Sequence, residues 1–116
     1  MNAQELIERN KKFAVDCVNL ANGLPDTKLG NHIRGQLIRC STSVAANYRA
    51  TRLAQTKASF IAKLSIVIEE ADEAEFWIDL GMEFNLFEPN QANKLMKEAK
   101  ELTSIYIATR NSLRKK

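Results

Sequence analysis

Apolar residues recur every three to four positions along four stretches of this chain, with polar residues between them. In residues 3–22, Leu6, Phe13, Cys17 and Leu20 mark one stripe, with Ile7, Ala14, Val18 and Ala21 beside it. That spacing predicts a helix with one buried face, and Gly23 and Pro25 stop it. In residues 27–51, Leu29, Ile33, Leu37, Cys40 and Val44 repeat the pattern, and Asp26 or Thr27 can cap its start. Residues 57–81 carry Phe60, Leu64, Val67, Ala71, Ala74 and Ile78 behind a Thr56 cap, with Gly81 near the end. Residues 89–114 open on Pro89, a favoured first helical position, and carry Leu95, Met96, Ala99, Leu102, Ile105, Tyr106 and Leu113. Short connections make sequence neighbours antiparallel. The expected fold is all-α: one domain over 1–116, an antiparallel up-down-up-down four-helix bundle.

The third helix has apolar residues to spare. Ile66, Trp77 and Leu80 lie opposite its core stripe, with Phe76 nearby. A helix apolar nearly all round needs cover on both sides, and a second copy of the chain is the economical cover. In the alternative reading, Trp77 sits at the edge of the chain's own core.

The stretch CSTSVAANYRAT (40–51) poses a question of chemistry. Cys40 and His32 are eight residues apart on one helix, so they lie about 12 Å apart along its axis and cannot pair. No spacing gives a Ser-His-Asp set, and Gly30 and Gly35 lie in no phosphate-binding pattern. The small residues Ser41, Ser43, Ala45 and Ala46 instead let helix axes approach closely. Asn47 falls near the core stripe with Gln36 and Ser43, and a buried amide needs a hydrogen-bond partner. These three polar residues are expected to fix the bundle's register.

Composition narrows the rest. Of 116 residues, 45% are hydrophobic and 27% charged, as in ordinary globular domains. The polar start MNAQELIERNKKF has no apolar signal segment. The longest apolar window, FIAKLSIVI (60–68), is interrupted by Lys63 and Ser65 and is too short to span a membrane. A cytoplasmic protein without a membrane partner is expected, and Cys17 and Cys40 read as buried free thiols. The carboxylates of EEADEAEFWID (69–79) lack the Glu-x-x-His motifs that a di-iron bundle needs, since His32 is the single histidine. No metal, no other cofactor and no catalytic residue is expected; the chain reads as a non-enzyme.

Charge is sorted along the chain. Residues 27–68 hold seven basic groups and no acidic one, and residues 69–88 hold eight acidic groups and no basic one. Residues 89–116 hold seven basic and two acidic groups. A basic block can neutralise phosphates and release counterions, or it can face the acidic block, within a chain or between copies. Arg34, Arg49 and Arg52 share one flank of the second helix with Ile38 and Ala45, a mixture that suits an interface. The terminal RNSLRKK (110–116) is expected to be exposed and mobile, with its cations free to reach a polyanion.

The stretches QLIRCSTSVAAN (36–47), FIAKLSI (60–66), EADEAEFW (70–77) and ELIERNKKFAVDCVNL (5–20) together resemble the bacterial four helix bundle protein family. Some of its members are encoded in intervening sequences of 23S ribosomal RNA genes and are often labelled ribosomal proteins. The family is related to the accessory variability determinant of diversity-generating retroelements. The resemblance implies an antiparallel bundle and a ring-shaped homopentamer. From the accessory determinant it implies a basic surface that binds nucleic acid, and a reverse transcriptase as partner. For most members it implies no established activity. The chain departs from the family pattern twice. Ala50 stands where many members have Glu, and Thr56-Lys57-Ala58-Ser59 lacks the acid of the usual capping box.

Two functional expectations follow. In the first, a homo-oligomer binds nucleic acid, RNA before DNA, through Arg49, Arg52, Lys57, Arg110, Arg114, Lys115 and Lys116, with Tyr48 the one exposed aromatic of the basic tract. In the second, the protein is an interaction scaffold that binds no nucleic acid. There Arg34, Ile38, Ile66, Glu73, Phe76, Trp77 and Leu80 form the interface, and acidic and basic blocks meet head to tail around a ring.

Overall fold

Each helix begins where a side-chain oxygen can take up a free backbone N–H. In the computed structural model, which describes residues 1–115, Asn2 caps α1 (Ala3–Asn22) and Thr27 caps α2 (Lys28–Ala50). Thr56 caps α3 (Lys57–Glu83), and Glu88 caps α4 (Pro89–Arg114) with Pro89 in its first turn. The acid missing at Ser59 is made good. The Ser59 hydroxyl accepts from the Thr56 N–H at 3.2 Å, while the Thr56 hydroxyl accepts from the Ser59 N–H at 3.0 Å. The capping box is therefore complete with a serine in the acid's place. α2 ends at Ala50, and a 3-10 turn, Thr51–Leu53, carries the chain over towards α3.

The helices form an antiparallel up-down-up-down bundle 47 Å long and about 20 Å across. Each packs on its sequence neighbour, and α4 closes back on α1 over a shorter seam. The predicted stripes face inwards: Phe13, Cys17, Ile33, Leu37, Cys40, Val44, Leu64, Val67, Ile78 and Leu102 are at most 1% exposed. Cys17 and Cys40 are free thiols in this core. Burial raises both well above an ordinary thiol, Cys40 to about 12. Ser41 is fully buried, and Ser43 and Ala45 half-buried, in keeping with a packing role, whereas Ala46 is exposed and packs against no helix it was expected to admit.

The α1–α4 seam is held by polar groups. The Arg9 guanidinium spans Glu98, through Nε at 2.8 Å and Nη2 at 2.6 Å, and reaches Glu101 at 2.8 Å. The hydrogen bond to Glu98 is the main reason that its proton is held more tightly than usual. Next to Arg9 and inside the core, the Tyr106 hydroxyl donates to Asn10 Oδ1, and Asn10 Nδ2 donates to the Leu6 carbonyl at 2.7 Å. Both residues are fully buried, and burial pushes the Tyr106 phenol well above its ordinary value.

This pair, and not Asn47, joins two helices through a buried amide. Asn47 is half-buried, and its Nδ2 donates to the Ser43 carbonyl at 3.0 Å and the Ser43 hydroxyl at 2.9 Å, four residues back on its own helix. Gln36 accepts from Arg39 Nε at 3.2 Å, again within α2. Gln36, Ser43 and Asn47 thus make local bonds and tie no second helix. An amide on a helix flank can reach the carbonyl four residues back, which is why the wheel position alone misplaced the pin.

The end of the bundle that holds the α1–α2 and α3–α4 connections is tightly closed. Arg34 Nη2 donates to the Leu24 carbonyl at 2.5 Å, and Nη1 binds Asn31. A Cβ on Gly30 would lie 2.1 Å from the Pro25 carbonyl oxygen, and one on Gly81 would lie 2.2 Å from the Phe87 ring. α3 ends through Asn85, at φ 55°, with the Leu86 N–H bonded to the Gly81 carbonyl at 2.9 Å, a closure that uses the left-handed conformation asparagine tolerates.

Candidate nucleic-acid interface

The other end is open, and the up-down order brings three basic segments to it. The C-terminal end of α2, the 3-10 turn and the start of α3 lie there with the last turns of α4. The Tyr48 and Tyr106 rings, 5.7 Å apart, place α2 against α4 near this end. Arg110 Nη1 donates to the Ser65 hydroxyl at 3.2 Å and places α4 against α3. Residues 47–66 and 105–115 contain no acidic side chain. α1 adds the exposed Glu5 and Glu8.

The predicted cations divide by their surroundings. Arg49, Arg52, Lys57, Arg114 and Lys115 are exposed, and among the described residues no carboxylate pairs with any of them. Arg110 is half-buried, bonded to Ser65, with its Nε enclosed and without a protein partner. The tail is not a free segment as far as Arg114, because α4 carries it in helical form. Leu113, half-buried, continues the apolar stripe into what reads as a charged tail. Lys116 lies outside the described residues.

A shallow groove of about 570 Å³ runs along the turn, lined by Ala50, Leu53, Ala54, Gln55, Thr56, Ser59 and Lys63. Leu53 is 71% exposed at its edge. Neither Leu53 nor Lys63 figured among the expected site residues. The signal was an apolar residue stranded between an arginine and a cap, off every stripe. Tyr48 corrects an expectation. It is only 8% exposed and packs on Tyr106, so it offers no face to a base. It follows Val44 by four residues, which continues the α2 core stripe.

The remaining arginines of the basic tract are engaged within the chain. Arg34 closes the opposite end, as described. Arg39 pairs with Glu70 through Nη1 at 2.9 Å and with Glu73 through Nη2. The Trp77 indole N–H also donates to Glu73 at 3.0 Å. That bond, followed by the one from Arg39, holds the Glu73 carboxyl below its ordinary value.

The other residues expected at an oligomer interface separate into two groups. Ile38, Trp77 and Leu80 are half-buried against the chain's own core, and Trp77 meets the His32 ring edge-on at 5.3 Å. Trp77 therefore lies at the core edge, the alternative position considered for it. Ile66, 42% exposed, and Phe76, 53% exposed, remain open on α3.

Among the described residues, no group of three or more His, Cys, Asp or Glu side chains is placed to hold a metal ion. No helix among them is long and apolar enough to cross a membrane.

With this geometry in hand, the chain can be set beside known proteins. Curated proteins offer no match. A solved structure from Bacteroides thetaiotaomicron, a protein of unknown function from the S23 ribosomal protein family, superposes with a TM-score of 0.84 at 30% identity. The match covers 90% of this chain and 97% of that one. The family model described as 23S rRNA-intervening sequence protein matches residues 3–108. From the first turn of α1 almost to the end of α4, the chain belongs to the 23S rRNA-intervening sequence protein family.

Proposed function

We propose that the protein assembles with copies of itself and binds nucleic acid, RNA before DNA, through the open basic end. One observation carries this reading: the fold gathers Arg49, Arg52, Lys57, Arg114 and Lys115 from α2, the 3-10 turn, α3 and the end of α4 at one end, and among the described residues none of them has a carboxylate partner. Exposed, unneutralised cations in one field are what a phosphate backbone requires. The family's description, which names a 23S rRNA intervening sequence, supports reading RNA before DNA. Ile66 and Phe76, exposed on α3, support assembly, and a ring of copies would multiply the basic ends.

The scaffold alternative loses ground on the same geometry. Its basic block was to meet the acidic block of a neighbouring copy. Arg39 already meets Glu70 and Glu73 in its own chain, and Arg34 is spent on backbone carbonyls.

Fluorescence anisotropy of labelled mixed-sequence RNA across a salt series tests the proposal. Affinity should fall steeply with salt, at about 0.7 in the log–log slope for each single-strand phosphate contact. Absence of binding at low salt would return the charge blocks to assembly.

A further inference from the structure

The open end combines dense positive charge with a lack of flat apolar surface, and this bears on the form of nucleic acid it takes. Proteins that hold single strands without sequence preference lay bases on aromatic rings. Here the aromatics near the cations are withdrawn. Tyr106 is fully buried, Tyr48 is 8% exposed, and half-buried Phe60 packs against the core. Leu53 is exposed, but a branched aliphatic group has no face on which a base can stack. What remains is charge, and charge favours the denser and stiffer polyanion. Duplex DNA presents one phosphate per about 1.7 Å of its axis, and counterion release per contact is larger on B-form DNA than on single strands, about 0.9 against 0.7. A duplex also keeps its bases stacked on each other, so it loses nothing from the missing platform.

We infer that the basic end recognises the phosphate backbone of double-stranded nucleic acid, without reading sequence, and discriminates against single strands. This rests on the nucleic-acid reading above and names its substrate class.

The test is competition anisotropy with the full-length protein. A labelled duplex RNA of mixed sequence is displaced by unlabelled duplexes of two unrelated sequences, or by single strands of the same length. The expected result is a duplex preference of about tenfold or more with little difference between the duplex sequences. Single strands that compete equally or better would show base contacts and overturn the inference. A strong preference for one duplex sequence would overturn its backbone-only character. If neither form binds at low salt, the nucleic-acid reading itself falls, and the duplex preference with it.

Discussion

The two ends of this bundle are made from the same kinds of residue and treat them in opposite ways. At the closed end, Arg34 turns inwards onto the Leu24 carbonyl, Gly30 lets the Pro25 backbone approach, and Phe87 lies over Gly81. At the open end, Arg49, Arg52 and Lys57 extend into solvent and Leu53 is left bare. The lesson is that an arginine's role in a bundle depends on what the neighbouring connection offers it. A tight loop with spare carbonyls consumes the charge. A 3-10 turn that satisfies its own backbone leaves the charge free for a partner.

The comparison breaks most visibly under charge reversal. Replacing Arg49, Arg52 and Lys57 together with Glu should lower RNA affinity by at least about a hundredfold, with helical circular dichroism unchanged. The matching change of Lys28, Lys94 and Lys97, exposed towards the closed end, to Glu should leave affinity nearly intact at physiological salt. The long axis of 47 Å separates the ends by far more than the ~8 Å screening length. Equal losses from both sets would show that net charge, and not the open end, governs binding.

The next effect is on stability and belongs to the closed end. Gly30→Ala forces a Cβ against a backbone carbonyl and should cost about 2–3 kcal/mol, read as a fall of roughly 10 °C or more in Tm. Gly35 has nothing within 4 Å of its Cβ position, so Gly35→Ala in the same helix should gain about 0.5–1 kcal/mol. If Gly30→Ala were as benign as Gly35→Ala, the closed end would not be the rigid one.

Between the ends, Tyr106→Phe removes the donor to Asn10 Oδ1 and leaves that oxygen buried and unpaired. Chemical denaturation should show a loss of about 1–3 kcal/mol; a neutral result would mean that Asn10 finds another partner.

The smallest effect is at Arg39, whose side chain is 49% exposed. Arg39→Met should cost under about 1 kcal/mol. Its pH dependence has a defined sign. Glu73 is held below the ordinary carboxylate value of 4.5 in the folded chain, so its contribution is full above that value and is lost as pH falls through the lowered one. The gap between wild type and Arg39→Met should therefore close on acidification; a gap that widens would rule out the ion pair as its source.

Much of this was legible in the chain. Helix spans, caps at Thr27 and Thr56, and the buried stripe follow from spacings of three and four residues, which are set within one helix. Tyr48 was legible too, since it lies one turn beyond Val44 on the stripe. In the α4 tail the exposure of Arg114 and Lys115 was legible, but the half-burial of Arg110 was not, because it is bound by Ser65, 45 positions away on α3. Tyr106 lay on the α4 stripe, but nothing signalled its hydrogen bond to Asn10. They are 96 positions apart, and neither neighbourhood hints at the other.

By itself, then, the sequence determined the four helices, their caps and the sorting of charge into blocks, because each depends on residues within a turn or two of one another. Tertiary structure alone decided which cations are spoken for. Arg39 and Arg52 stand in the same basic block, yet the first finds Glu70 and Glu73 across a helix seam and the second finds only solvent. Ion pairing depends on distance through space, and that distance exists only once the helices have packed.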